Sequence, residues 1–444
     1  MALQDYTREF GKNLKIAYPI MAGQIAHLLV AFADNVMVGK LGDAHLAAVS
    51  LGNTLIFIAL SIGIGFSFAI TPLVAEADAQ GDDQKVKRIF HNGVLVSSAN
   101  GVLLCLLLFL SEPILYYLDQ PDEVIILAIP YMRIVALSMI PLMIFQAIKQ
   151  FSDGLSKTVF AMRATIAANV VNIIMNYLLI YGKFGLPRME VEGAAYGTLV
   201  ARILMVPILI LLLSRKAEMK KFFDSVETFS RPLFKKLINI GFPTALQMFF
   251  EVSLFTAAII LSGVIGTKSQ AANQIALNLS AMTFMVGVGL SVTATIRVGN
   301  QLGNNNILEL KRIARSIFLL AFILNIIFAL AFYLFKDLLP WIYINDYEVV
   351  TIASGLLVVA ALFQISDGLQ VVFLGALRGL QDVWVPSLIC FVSYWIVGFP
   401  ISYYLGIILD YGGQGIWLGL LSGLTMSSIL MYARYRYLLS DIEK

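Results

Sequence analysis

The sequence predicts an all-α polytopic membrane protein, with twelve transmembrane helices in two pseudo-symmetric six-helix lobes around a central cavity. Composition is the first reason, since 59% of the 444 residues are apolar and only 13% are charged. Typical soluble domains are about 45–50% apolar and about 25% charged. Apolar runs of about 20 residues, which a helix needs to cross the roughly 30 Å hydrocarbon core, recur along the chain. An internal repeat is the third reason.

Breaking the chain at its polar clusters gives twelve predicted spans. They cover residues 16–39, 46–75, 93–111, 124–148, 164–182, 193–213, 237–263, 270–297, 316–335, 350–375, 385–409 and 413–433. The polar N-terminal segment has no small-residue cleavage site, so the first span is expected to be a permanent helix. A net charge of +3, with no basic run interleaved with aromatic residues, is too small to argue for nucleic acid, and we expect none as a partner.

The Lys and Arg residues of the loops predict the orientation. Of the 31 in the chain, 24 fall on the side that carries both termini and the central linker, and five fall on the other side. Arg133 and Arg202 fall within spans, whereas Arg378 counts among the loop charges. By the positive-inside rule, we expect a multi-pass protein of the cytoplasmic (inner) membrane with both termini in the cytoplasm.

The two halves share a sequence pattern in one constant register, which places Pro19 opposite Pro243. In that register PIMAGQ aligns with PTALQM, and KRI at 87–89 with KRI at 311–313; slightly out of it, GAAYG near the end of one half resembles GIWLG in the other. The pattern predicts an N-lobe (1–214), a cytoplasmic linker (215–236) and a C-lobe (237–444). A parallel repeat favours a transporter whose lobes rock about a central cavity.

Three acidic residues lie within predicted spans: Asp34, Glu251 and Asp367. A charge at a helix centre costs about 2.5–3.5 kcal/mol on insertion scales, and such residues usually mark ion or proton paths. The alternative is a structural ion pair with Arg133 or Arg202.

Asp34 has oxygen-bearing neighbours at similar predicted depth, namely Asn172, Asn176 and Thr198. A carboxylate with amide and hydroxyl oxygens suits a hard cation such as Na⁺, while a buried carboxyl group can instead carry a proton. Both remain open, and the two asparagines have interhelical hydrogen bonding as a simpler role.

The C-lobe has paired polar positions on shared helix faces. They are Gln247 with Glu251, Gln364 with Asp367, and Gln274 with Asn278. We expect them to line a wet cavity that attracts a cationic drug, with Phe250 among its walls. Packing is the alternative role for the aromatic residues.

No GxxxxGK[ST], HExxH or GxSxG motif occurs. We therefore expect no ATP-driven transport, no enzyme activity, no metal and no cofactor apart from a coupling ion, Na⁺ or H⁺.

Five stretches carry a family resemblance over essentially the whole chain. They are FADNVMVGKLG, VIGTKSQAAN, TPLVAEADAQGD, IRVGNQLGNNN and SDGLQVVFLGALRGLQD. The chain resembles the multidrug and toxic compound extrusion (MATE) family, and retaining acids in both lobes is similar to its NorM-type branch.

The resemblance implies cation-coupled antiport by alternating access, which expels cationic and aromatic drugs against Na⁺ or H⁺. It implies small-molecule drugs and membrane lipid as partners, and we expect a monomer. By motif, Asp34 matches the family's N-lobe acid and Asn172 and Thr198 its companions, while Asn176 stands where some relatives carry a second Asp.

In the C-lobe, Glu251 and Asp367 match acids proposed to bind cation or substrate, and Phe363 stands where some NorM-type relatives present a tyrosine. Another reading is a lipid-linked oligosaccharide flippase of the same wider superfamily, which would need several arginines within its spans. A membrane-embedded transferase would need a catalytic set that the sequence does not present.

Overall fold

The computed structural model describes residues 6–117 and 120–442, which are almost entirely helical and contain no β-strand. Twelve helices in this part of the chain are long and apolar enough to cross a membrane. Those of the N half are α1 (Phe10–Gly39), α2 (Asp43–Ala79), α3 (Asp83–Tyr117), α4 (Asp122–Gly154), α5 (Thr158–Tyr181) and α6 (Glu190–Ser214).

The C half repeats this number of helices. They are α7 (Arg231–Ile265), α8 (Thr267–Gly303), α9 (Ile307–Phe335), α10 (Tyr347–Gly379), α11 (Trp384–Ile408) and α12 (Gly412–Ile442). The predicted all-α architecture of two six-helix sets is confirmed.

Several helices begin well before the predicted spans. The span predicted to start at residue 93 belongs to α3, which starts at Asp83. Asp82 caps it, because its side chain accepts a hydrogen bond from the backbone nitrogen of Lys85 at 2.9 Å. Hydropathy detects the apolar stretch that lipid requires, whereas capping extends the helix through polar residues.

The internal repeat is also visible in the backbone. Left-handed φ values recur at matching positions of the two halves, at Gly42 and Gly266, Gly81 and Asn305, and Ser156 and Gln381. Asp82 and Asn306, which the repeat places opposite each other, both cap the helix that follows them. The same helix ends therefore return in each half, although most side chains differ.

The chain divides into two compact units. Met1–Met21 and Leu246–Lys444 form one, as far as these residues are described, and Ala22–Ala245 form the other. Both boundaries fall inside a helix, in α1 and in α7. The division predicted from the sequence, at the linker 215–236, stays a prediction.

A buried ion cluster joins the start of the chain to the C-half helices. Glu9 is fully buried and accepts hydrogen bonds from Arg297 at 2.7 Å and from Arg312 at 3.4 Å. One turn further, Asn13 donates to the Ser316 hydroxyl at 3.2 Å. These contacts explain why the first turns of α1 group with the C half.

The C-half core is built around Trp417 of α12. Its ring is fully buried and packs edge-on against Phe363, with ring centroids 5.1 Å apart. The indole nitrogen donates to Asn273 Oδ1 at 2.9 Å. Burying the indole therefore leaves its donor satisfied, as a buried tryptophan requires.

Candidate functional site

The N half brings together the four side chains proposed from the sequence around Asp34. The Asn176 amide nitrogen donates to Asp34 Oδ1 at 2.6 Å and lies 3.3 Å from Asn172 Oδ1. Asn172 in turn donates to the Thr198 hydroxyl at 3.4 Å. Both asparagines are buried, and Asp34 is partly exposed. The four side chains thus form one polar cluster, the Asp34 cluster, between α1, α5 and α6.

The amide of Asn172 fits the Asp34 cluster in a second orientation. In it, the amide nitrogen donates to Asp34 Oδ1 at 3.0 Å, and the oxygen accepts from the Thr198 backbone nitrogen at 3.3 Å. The Asn176 oxygen is buried and has no hydrogen-bond partner among the described residues. Rotating the Asn176 amide therefore replaces an N–H donor by an oxygen beside the carboxylate, whereas rotating the Asn172 amide to its second orientation replaces an oxygen by an N–H donor.

Small residues of α6 allow this cluster to form. A Cβ atom on Gly193 would meet the backbone carbon of Leu179 at 2.7 Å, so α5 and α6 approach closely there. One turn on, a Cβ on Gly197 would overlap the Asn176 side chain. Glycine spacing of this kind lets membrane helices come into backbone contact, and here it leaves room for the Asn176 amide.

Two further polar groups lie within electrostatic range of Asp34, and sequence reasoning missed one of them. Tyr131 of α4 lies within electrostatic range of Asp34 and donates to Asn53 at 3.0 Å. A single tyrosine in an apolar run carried no signal in the sequence. Arg202 is also within electrostatic range of Asp34, but its guanidinium donates to the Ser138 hydroxyl at 2.7 Å.

Arg133, the other arginine considered as a partner for an acid within the spans, lies elsewhere. It makes two hydrogen bonds to Glu112, at 2.8 and 2.7 Å, at an exposed position. A pair of this kind contributes little to stability. Arg133 therefore has no part in the polar clusters of the acids.

The C half holds Glu251 of α7 and Asp367 of α10, whose carboxylates lie within electrostatic range of each other. Glu251 is partly exposed, whereas Asp367 and Gln364 are buried. Asp367 Oδ1 and both polar atoms of the Gln364 side chain have no hydrogen-bond partner within the described ranges. Buried polar atoms are normally paired, so these atoms keep hydrogen-bonding capacity that the described side chains do not use.

Tyr394 lies in a π-helical turn of α11. The turn runs from Val392 to Gly398, and Tyr394, 1% exposed, lies within electrostatic range of Glu251 and Asp367. Such turns shift the helix register and often occur at functional sites. Sequence reasoning missed Tyr394 because the ordinary helical periodicity does not reveal a π turn.

The remaining cavity residues fall into two environments. Gln274 and Asn278 are exposed on α8 and hydrogen-bond to each other at 3.2 Å, and Phe250 is partly buried against Phe391. Gln247 is instead buried and accepts a hydrogen bond from Arg378 at 2.9 Å. Arg378 lies inside α10 and is 6% exposed, so its assignment to a loop was wrong.

The ligands offered by the Asp34 cluster are one carboxylate, two amides and one hydroxyl. Among the residues that the structure describes, no three His, Cys, Asp or Glu side chains converge as a metal site would require. Hard oxygen ligands around a single negative charge suit a small cation better than a transition metal.

Comparison with known proteins gives the family. The MatE family model matches the chain twice, at residues 19–178 and 243–404, so the two matches begin at the aligned prolines Pro19 and Pro243. A Rhizobium meliloti (strain 1021) protein named "Probable multidrug resistance protein NorM" is 33% identical over 99% of this chain and 96% of its own. "Multidrug resistance protein MdtK" of Yersinia pseudotuberculosis serotype O:1b is 32% identical, over 98% of this chain and 97% of its own.

Solved structures match the fold at lower identity. The eukaryotic MATE transporter AtDTX14 superposes with a TM-score of 0.89 at 19% identity and covers 99% of both chains. A mutant of the Vibrio cholerae MATE transporter VcmN gives 0.90 at 18%, covering 98% of both chains. With its duplicated family match, its full-length relatives and its twelve helices, the chain is a multi-pass membrane protein that belongs to the MatE family.

Proposed function

We propose that this protein is a multidrug efflux antiporter that exports cationic and aromatic compounds in exchange for Na⁺ or H⁺ by alternating access. The observation that carries the proposal is the convergence of Asp34, Asn172, Asn176 and Thr198 inside apolar helices. The names of the relatives, which are multidrug resistance proteins, support the substrate class.

A cation at the Asp34 cluster would offset the cost of a carboxylate within the membrane. The amide of Asn176 donates an N–H to Asp34, so coordination of Na⁺ by Asn176 requires that amide to turn its oxygen inward. Asn172 offers its oxygen in the orientation that accepts from Asn176. A proton would instead bind Asp34 itself. Arg202, in electrostatic range, weakens the hold of Asp34 on any cation, which suits a site that must release its ion in each cycle.

The C-half acids would hold the cation or the positive charge of the drug. Glu251 is partly exposed, and the buried Asp367 Oδ1 has no hydrogen-bond partner among the residues that the structure describes. We propose Gln364, Gln274, Asn278 and Phe250 as the residues that contact substrate. Pro19 lies inside α1 and removes one backbone hydrogen bond there, so α1 is the helix that bends when Asp34 binds its ion.

The location follows from the loop charges. We propose that the protein resides in the cytoplasmic membrane as a monomer, with both termini on the cytoplasmic side. A lipid-linked oligosaccharide flippase is less well supported, because Arg202 and Arg378 each lie within electrostatic range of a carboxylate, which offsets the positive charge that a diphosphate would need.

The test is drug movement in vesicles that contain the purified protein. A Na⁺ gradient at matched pH and a pH gradient without Na⁺ are imposed separately, and the transport of ethidium is followed by fluorescence. We expect one gradient, or both, to drive ethidium against its own gradient. If neither gradient does so in vesicles that hold folded protein, the proposed function is wrong.

A further inference from the structure

Arg378 is a buried arginine at the end of α10. Its side chain is 6% exposed, and its guanidinium donates to Gln247 Oε1 at 2.9 Å. Gln247 is neutral, so this hydrogen bond does not balance the charge. A buried charge without an opposite charge nearby is strongly destabilising, and Arg378 therefore requires an anion within electrostatic range.

Glu251 supplies that anion. It follows Gln247 by one turn on α7, where residues four apart share a face, and its carboxylate lies within electrostatic range of Arg378. Asp367 lies within range of Glu251 but precedes Arg378 by three turns of the same helix, about 16 Å along the axis. The arginine therefore compensates Glu251 and not Asp367.

The position of Arg378 is particular to the C half. Ser156 and Gln381 occupy equivalent left-handed positions, with φ values of 59° and 61°. In each half the residue three positions earlier is charged, but the two charges have opposite signs, negative in the N half and positive, at Arg378, in the C half. In the N half that side chain is Asp153, which pairs with Lys149 at 3.1 Å. The repeat thus preserves the helix end and changes the charge, so the arginine is not part of the shared scaffold.

The two halves also differ in the charge of their acid sites. In the N half one carboxylate, Asp34, lies within electrostatic range of one arginine, Arg202. The C half has two carboxylates, Glu251 and Asp367, and Arg378 lies within electrostatic range of Glu251, which leaves a single excess negative charge. The unpartnered oxygen of Asp367 is where that excess lies.

We propose that Arg378 is the resident counter-cation of Glu251, so that the C-half acids hold one exchangeable positive charge, which binds at Asp367. The inference deepens the proposed function and rests on it. It assigns Glu251 a positioning role and makes Asp367 the residue that exchanges a monovalent cation or the charge of a drug.

The test is a charge-balance series measured by ethidium transport in vesicles. Glu251→Gln changes the net charge of Glu251, Asp367 and Arg378 together from −1 to zero. We expect transport to fall by about tenfold or more. The double variant Glu251→Gln/Arg378→Met restores the single negative charge, and its transport should recover to within about threefold of wild type. Glu251→Gln with Arg378→Lys keeps the set neutral and should stay as low as Glu251→Gln alone.

Arg434→Met is the matched control, because Arg434 pairs with Asp382 at 2.7 Å, away from the acids, and should transport as wild type does. If the Glu251→Gln/Arg378→Met protein is folded by size exclusion yet as inactive as Glu251→Gln, the inference is wrong. Failure of the wild type to transport would instead overturn the proposed function.

A binding measurement decides the matter if the Arg378 variants do not fold. Asp34→Asn is compared with Asp34→Asn/Glu251→Gln/Asp367→Asn, and bound ²²Na⁺ and protons taken up are summed. We expect the two proteins to differ by one positive charge per chain. A difference of two would mean that both acids exchange a cation, which contradicts a resident partner for Glu251.

Discussion

The Asn176 amide nitrogen lies 2.6 Å from Asp34 Oδ1, a hydrogen bond between residues 142 positions apart in the chain. It links α1 to α5 through the only carboxylate of α1. The same asparagine contacts Asn172 one turn away. The Asp34 carboxylate is therefore linked directly to a neighbouring helix.

Replacing Asp34 by Asn should abolish coupled efflux while leaving the protein folded in the membrane. The substitution keeps the side chain's shape and removes a charged interaction worth about 1.5–3 kcal/mol, or roughly 10–100-fold in cation affinity. Gradient-driven ethidium transport measures the loss. Asp122→Asn, at an exposed carboxylate, is the control, and wild-type transport by Asp34→Asn would contradict the site.

Gly197→Ala should impair the Asp34 cluster without touching a charged group. The added Cβ would overlap the Asn176 side chain, and overpacking of this kind costs about 1–3 kcal/mol. We expect a lower melting temperature and weaker cation dependence of transport. Gly11→Ala, where an added Cβ meets nothing within 4 Å, should be neutral or slightly stabilising; equal effects of the two variants would refute the packing argument.

Stability should depend on pH through Glu9, which lies outside the membrane-spanning helices. Burial alone raises the pKa of Glu9, but hydrogen bonds from Arg297 and Lys12 outweigh it and hold the pKa below its usual 4.5. Because the folded-state pKa is depressed, the stabilisation is present above pH 4.5 and is lost as pH falls through the folded-state pKa.

Melting curves of wild type and Glu9→Gln across pH test this dependence. At neutral pH we expect wild type to be more stable, by about 1.5–3 kcal/mol for a charge-assisted hydrogen bond. The difference should shrink as the pH drops below 4.5. A difference that grows on acidification would show that the sign is wrong.

Trp417→Phe should destabilise the C half. It removes the indole donor to Asn273 Oδ1, at 2.9 Å in a fully buried position, and an unsatisfied buried acceptor costs about 1–3 kcal/mol. Thermal unfolding in detergent is the measurement. Trp341→Phe, at a residue 41% exposed, should stay within about 0.5 kcal/mol of wild type, and a matching loss there would argue for a general effect of losing tryptophan.

The sequence by itself determined the membrane class, the twelve helices, the repeat and the identity of the acids within the helices. Hydrophobic length and the cost of charge in lipid act on each segment separately, so they can be read from one stretch at a time. Depth along α1, α5 and α6 also indicated that Asp34, Asn172, Asn176 and Thr198 lie at one level. For these four residues, the distance from the helix end was enough to predict their depth in the membrane.

Only the tertiary structure decided which side chains meet. Sequence analysis assigned Arg378 to a loop, yet α10 extends far enough to bury it against Gln247. Tyr394 lies in a π turn within electrostatic range of both C-half acids, and Glu9 pairs with Arg297 across 288 positions of the chain. Such contacts depend on helix rotation and on a change of register by a single residue. Neither follows from hydropathy. An apolar helix can cross the bilayer at any rotation about its own axis, and only packing against other helices selects one rotation.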